Sequence, residues 1–233
     1  MINFASMRSA YQSSKEALLE KSIKVLAIIA EGIPERQTRE LIAISKKENK
    51  VIIGPATVGG IKAGAFKIGN TAGKLDNIIA SKLYRPGSVG VVSKSGGLSN
   101  EIYNMVALNA DGIYEGVAIG GDRFPGTTYL DHLLRFEKNP HIKFMVMFGE
   151  VGGTYEELAA EFIRKKKFTK PVVAHVAGKF TEMLQQGTVL GHAGAIVSKG
   201  RGSYASKVAA FREAGIVVAD VLDEIPKILK EIL

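Results

Sequence analysis

Cysteine and tryptophan are both absent from the 233 residues. Without cysteine there is no disulfide framework, no thiolate metal site and no thiol nucleophile, and a chain of this length buries enough apolar surface to fold without such staples. Aromatic residues make up only 7%. Neither zinc-finger spacing nor an aromatic RNA-binding signature occurs, so the net charge of +8 is not read as a nucleic-acid footprint. The densest basic run, Arg164-Lys165-Lys166-Lys167, continues an amphipathic stretch and reads as a solvated helix end. A small polyanionic ligand, such as a coenzyme bearing several phosphates, accounts for part of the basic excess equally well. No apolar run approaches the ~20 residues that span a bilayer; Val25–Ala30 is typical of the longest. Met1-Ile2-Asn3-Phe4 lacks the basic-then-apolar order of a signal peptide. These absences predict a cytoplasmic protein with neither a membrane nor a nucleic acid as partner.

What is present is an alternation of short β-branched runs with longer helical patterns. Strands are expected at Lys24–Ile29, Val51–Ile53, Ser88–Ser93, Gly116–Ile119, Phe144–Phe148, Val172–Ala177 and Ile216–Ala219. Helical periodicity marks Glu35–Glu48, Leu98–Leu108, Tyr129–Glu137, Tyr155–Lys165, Ala205–Ala214 and Leu222–Leu233. Strands separated by helices imply βαβ units, a parallel sheet and an α/β fold. The rhythm breaks at Leu75–Leu83, before the turn signal Arg85-Pro86-Gly87, so a boundary is expected between Gly73 and Pro86. The part beyond it holds a full doubly wound sheet. The part before it reads as half of a Rossmann-type unit, which suggests a fragment or one piece of a split protein.

Glycines follow the strand ends: Ser95-Gly96-Gly97, Gly120-Gly121, the run from Gly149 to Gly153, and Gly178. The carboxyl ends of parallel strands share one edge, and ligands bind there. Around Ser95, Gly96 and Gly97 a strand ends and a helix begins, so unpaired helix N–H groups can meet an anion. An ordinary capped helix start explains the same residues. No GxxxxGK[ST] loop occurs. His192 lies in Leu190-Gly191-His192-Ala193-Gly194-Ala195, where small neighbours leave room for a bulky group. His132, His141 and His175 form no metal-ligand spacing with it. A lone histidine is commonly structural. As a nucleophile it needs one bare nitrogen and a carboxylate or carbonyl on the other, and Glu31 or Glu150, each after a strand, could supply the carboxylate.

These residues sit in longer matching stretches, among them Ile2-Asn3-Phe4-Ala5-Ser6, Ile28-Ile29-Ala30-Glu31-Gly32-Ile33-Pro34, Gly54-Pro55-Ala56-Thr57-Val58-Gly59-Gly60, Tyr84-Arg85-Pro86-Gly87-Ser88 and Gly191-His192-Ala193-Gly194-Ala195. With them the chain resembles, nearly end to end, the CoA-ligase region of the ATP-citrate lyase family, which is related to the succinyl-CoA synthetase α subunit. The resemblance implies the C-terminal part of a Rossmann-like CoA-binding domain over residues 1–82. A flavodoxin-like doubly wound parallel-sheet domain, carrying a phosphohistidine, would cover 83–233. It implies ATP-driven formation of citryl-CoA, then acetyl-CoA and oxaloacetate, with His192 as the phosphoryl carrier and Glu31 and Glu150 against it. Ser95, Gly96 and Gly97 would hold phosphate or citrate, and Ser6 and Arg8 coenzyme A. ATP and Mg²⁺ would bind an ATP-grasp element outside these residues, and a citrate-synthase-like domain would perform the cleavage, within a hetero- or homo-oligomer. No metal is expected on this chain's own side chains, and alone it should not turn over. Lys179–Leu190 and Ile196–Gly202 depart from the citrate lyase pattern. A succinyl-CoA synthetase or other acyl-CoA ligase subunit is therefore the alternative, with a non-catalytic CoA- or nucleotide-binding module as the reading from another class.

Overall fold

The computed structural model of the chain describes residues 1–184, 191–197 and 201–232. Residues 185–190 and 198–200, inside the two departing stretches, lie outside the described residues, as does Leu233, the end of the expected last helix. Two sheets form. The first joins β1 (Ile2–Asn3), β2 (Val25–Ile28) and β3 (Val51–Ile53), all parallel and in that order, through α1 (Met7–Leu19) and α2 (Glu35–Lys47). Ala10, Ala17 and Leu18 of α1 pack with Leu26, Ile28, Leu41 and Ile52 in one small core. Periodicity does not announce α1, because three serines dilute its pattern and Ser14 stands in its buried stripe. Two-residue β1 exists only by pairing, with Ile2 opposite Ala27.

The second sheet holds β4 (Gly60–Lys62), β5 (Phe66–Ile68), β6 (Val89–Ser93), β7 (Ile113–Ala118), β8 (Phe144–Glu150), β9 (Val172–Ala177) and β10 (Val217–Val218). Its order is β10-β9-β8-β6-β7-β4-β5. From β6 onward the strands are parallel, and their order is the flavodoxin-like one, in which the chain turns back past its first strand. The helices are α3 (Leu75–Ala80), α4 (Gly96–Asn109), α5 (Tyr129–Glu137), α6 (Tyr155–Arg164), α7 (Tyr204–Glu213) and α8 (Ile225–Ile232). Helices α5, α6 and α7 cover one face, where Tyr129, Leu133, Ala159 and Phe211 meet Met145 and Met147. Helices α4 and α8 cover the other, where Ile102, Val106 and Leu229 meet Phe144, Val146 and Phe148. Every residue of β8 is buried, so its sequence is a continuous apolar run up to Glu150.

The structure departs from a purely parallel reading at β4 and β5: β4 runs antiparallel to β7, and β5 runs antiparallel to β4 at the sheet's edge. Three residues each, with Gly60 and two lysines among them, are too short and too polar to register as strands. By strand pairing, residues 60–68 belong to the second sheet, ahead of the expected boundary at 82/83. The expected last helix is also split: a 3-10 turn spans Leu222–Glu224 before α8, whose Pro226 sits in the first turn, where a missing N–H is tolerated. The linker from Gly54 to Gly59 binds the two sheets. Thr57 Oγ1 donates to Ala118 O, Gly126 N donates to Gly54 O at 2.8 Å, and Ala56 N donates to Ala30 O at 2.9 Å.

Gly116 on β7 lets α4 approach, since a Cβ there would lie 2.2 Å from Tyr103 Cε1. Gly116→Ala is expected to cost about 1–3 kcal/mol by overpacking, seen as an earlier midpoint in urea unfolding. An unchanged midpoint would mean that α4 shifts freely.

Candidate active site

The chain reverses direction across the sheet between β6 and β8, and the crevice above their carboxyl ends is the favoured ligand site of such folds. β8 ends on Glu150, which is only 8% exposed. The loop returning from residue 191 lays His192 on it, with Nδ1 and Glu150 Oε2 2.5 Å apart. An ionised carboxylate only accepts, so Nδ1 carries the proton and Nε2 is the bare nitrogen. Among the described residues Glu150 Oε1 has no hydrogen-bond partner, and Lys94 Nζ lies 3.6 Å from it. Lys94 follows β6 and is itself 1% exposed. Gly121, after β7, is glycine for a reason of space: a Cβ there would lie 2.7 Å from His192 Cγ. Gly194 N donates to Gly121 O at 3.1 Å and Gly153 N to Ile196 O at 3.3 Å, fixing the loop at two points.

His192 lines a cavity of about 320 Å³ with Gly191, Ala193, Glu31, Gly32, Ala56, Gly121 and Asp122. The carboxyl edges of both sheets therefore face one space. Of the two acids expected to hold the imidazole, Glu150 makes the contact. Exposed Glu31 stands on the cavity wall and acts on His192 through its charge. The hydrogen bond to Glu150 raises the His192 pKa above its ordinary value, against the opposing effects of burial and of Lys94.

Ser95 caps α4, its side chain accepting from Leu98 N at 3.5 Å. Gly96 is packed, since a Cβ there would meet Val58 Cγ1 at 2.5 Å, whereas Gly97 is exposed and a Cβ would meet nothing within 4 Å. Ser6 and Arg8 are exposed at the start of α1, and Met7 between them lies 3.0 Å from the Cβ position of Gly32 on the cavity wall. The other histidines are engaged elsewhere. Burial pushes His132 down to about 3, His141 stacks on Tyr114, and His175 Nδ1 bonds Ala219 O.

Sequence reasoning did not single out Lys94 or Asp122. Both stand beside glycine doublets that it did, and Asp122 is a buried acid whose pKa burial raises. It also missed Lys207 on α7, fully buried with Glu156 on α6. The available signal was a lysine on the apolar stripe of Tyr204, Val208 and Phe211.

The CoA-ligase family model matches residues 92–217, more than half the chain, including Lys94, Gly121, Glu150 and the His192 loop but not the cavity wall at Glu31, Gly32 and Ala56. The chain belongs to the CoA-ligase family. This CoA-ligase chain is 52% identical, over its whole length, to the probable ATP-citrate synthase subunit 1 of Schizosaccharomyces pombe. It is 55% identical over 99% of its length to ATP-citrate synthase beta chain protein 2 of Arabidopsis thaliana. The ATP citrate lyase of Methanothrix soehngenii, solved with citrate and coenzyme A, superposes over all of it with a TM-score of 0.96 and 52% identity. The CoA-ligase chain spans 38% of the length of each of these three.

In an ¹⁵N-histidine NMR titration, His192 is expected to titrate above the ordinary value of about 6.5, and Glu150→Gln to bring it down towards that value. The sign follows from the raised pKa. The added stabilisation of the charged pair is complete below about pH 6.5 and is lost as pH rises through the folded-state value, while neutral His192 keeps its Nδ1–H bond to Glu150. A titration unchanged by Glu150→Gln would remove Glu150 as the cause.

Proposed function

We propose that this chain is the CoA-ligase portion of an ATP-citrate lyase, with His192 as its phosphoryl carrier. The observation that carries the reading is the His192–Glu150 contact at the topological switch point. A buried carboxylate there holds the Nδ1 proton, leaves Nε2 as nucleophile and stabilises the imidazolium that forms on attack. ATP, bound on an ATP-grasp element of another domain or subunit, gives its γ-phosphoryl group to Nε2. The phosphoryl group then passes to a citrate carboxylate beside Gly96 and Gly97, where N–H groups at the start of α4 meet its oxygens. The coenzyme A thiol, presented from the Ser6 and Arg8 end of α1, attacks citryl phosphate and releases phosphate to give citryl-CoA. A citrate-synthase-like domain cleaves that product to acetyl-CoA and oxaloacetate.

Mg²⁺ would be held with ATP on the ATP-grasp element, where it would offset the charge of the phosphates. Among the described residues no cluster of three His, Asp or Glu side chains offers a site for an ion. The likeness to a lyase solved with citrate and coenzyme A supports citrate as the acid over succinate. We further propose that residues 1–82 supply the CoA-binding surface and 83–233 the phosphoryl chemistry, inside a cytoplasmic oligomer. No described helix is long and apolar enough to cross a membrane.

Assembled enzyme given γ-³²P-labelled ATP should form one phosphoramidate on this chain, lost in acid, stable in base and absent in His192→Ala. Label that survives in His192→Ala, or that resists acid, would sink the assignment. A second outcome concerns Gly97, where added bulk meets no neighbour. Gly97→Ala should leave the melting temperature in place or raise it, since alanine favours a helix by about 0.5–1 kcal/mol. If the Gly97 amide touches a substrate oxygen, citrate affinity by calorimetry and phosphotransfer should fall together. Intact citrate binding would leave Gly97 as helix start alone.

A further inference from the structure

Beneath the Glu150–His192 pair lies a second charged cluster that the proposed chemistry does not use. Lys207 Nζ, on α7, is wholly buried and donates to Glu156 Oε2 at 2.5 Å, Glu157 Oε2 at 3.1 Å and Gly153 O at 3.2 Å. Lys207 and Glu156 are two charges set wholly in the core, with Glu157 half-buried beside them. That is costly by desolvation, and apolar residues of like volume would hold α6 to α7 as well or better. The remaining oxygens explain the arrangement. Glu156 Oε1 accepts from Glu150 N at 3.2 Å, so it holds the main chain of the residue that bonds His192. Glu157 Oε1 accepts from Gly202 N at 3.2 Å, where the chain comes back from the His192 loop. Gly202 O in turn accepts from Gly152 N at 2.7 Å, two residues beyond Glu150. Glycine at 202 allows this close approach, because a Cβ there would lie 2.5 Å from Gly153 O.

We infer that Lys207, Glu156 and Glu157 form the positioning device of the His192 loop: one buried ammonium ties the end of β8, the Gly152-Gly153 turn and the loop's return into a single unit. The device touches neither His192 nor the cavity lining. It acts through the backbone, setting where the Glu150 carboxylate stands and where the loop re-enters the fold. This rests on the phosphohistidine reading for its purpose, though not for its geometry. His192 is faced by Glu150 from β8, Lys94 from the end of β6, and Glu31 and Asp122 across the cavity. A shift of the β8 end changes the first of these most, because it is the direct contact.

Glu157→Gln is the test. Glu156 still neutralises Lys207 and the Glu157 side chain is 21% exposed, so the fold is expected to persist. The amide cannot serve Gly202 N and Lys207 with two oxygens. ¹⁵N-histidine NMR of the full chain, which has only four histidines, reads His192 without ATP. Its titration should move down from the wild-type value in Glu157→Gln while His132, His141 and His175 stay in place. In assembled enzyme, phosphohistidine formation should slow by about 10²-fold, the scale of a misplaced reacting group. Ser206→Ala is the control. It removes the other hydrogen bond to Glu157 Oε1 and a bond to Ser203 O in the first turn of α7, while the bonds of Glu150 N and Gly202 N remain, so His192 should titrate as in wild type. A lower melting temperature in Glu157→Gln with unchanged His192 titration and phosphorylation would overturn the inference and leave the cluster a structural ion pair. If wild-type His192 accepts no phosphate, the proposed function fails, and the titration alone still decides the positioning role.

Discussion

A carboxylate almost out of water at the end of β8 is the constraint around which the rest is arranged. Glu150 is 8% exposed, and an ion in that position needs charged or hydrogen-bonding partners on every side. One oxygen has the His192 imidazole at 2.5 Å, the other faces Lys94, and its backbone N–H is taken by Glu156. Those partners come from different places: the end of β6, the first turn of α6 and the far loop at 191–197. Satisfying one buried acid thus gathers the chemical groups of four segments at the switch point. The same contact selects the tautomer that makes a histidine a nucleophile.

The two sheets have different duties at that point. The seven-stranded sheet carries the charged residues on the ends of β6, β7 and β8. The three-stranded sheet supplies the opposite wall, with Glu31 and Gly32 after β2. The linker from Gly54 to Gly59 holds the walls at a fixed distance through Ala30, Ala118 and Gly126. Glycine at 121 serves this geometry, because the imidazole lies where its side chain would be.

Strongly apolar elements were legible from the residues alone. Val51–Ile53, Val172–Ala177 and Tyr129–Glu137 occur with the bounds that their patterns predict, and β8 runs only two residues further than its pattern. β8 and β9 are buried on both faces and the helix has a wide apolar stripe, so their burial is written in composition, while β3 is recognised by its β-branched run although Val51 stays exposed. Illegible elements were those made by a neighbour. β1 is two residues held by β2, and β4 and β5 are short hairpin strands held by β7. Helix α1 buries alanines and a serine that a periodicity count passes over.

At the site, the sequence by itself determined the participants' kinds: one histidine among small residues, acids after strands, and glycine doublets on one predicted edge. Resemblance, not spacing, attached a reaction to them. Only the tertiary structure decided between Glu31 and Glu150 as the acid on His192, because the two follow different strands and one alone lies within hydrogen-bond reach. It also brought in Lys94, Asp122 and the Lys207 cluster. Residue 207 and residue 150 are far apart along the chain, and what joins them is a hydrogen-bond path through Glu156. Such a path depends on the packing of α6 against α7 and β8. Local propensity carries no information about it, because the free energy that selects it is the cost of leaving those charges unpaired inside the folded core.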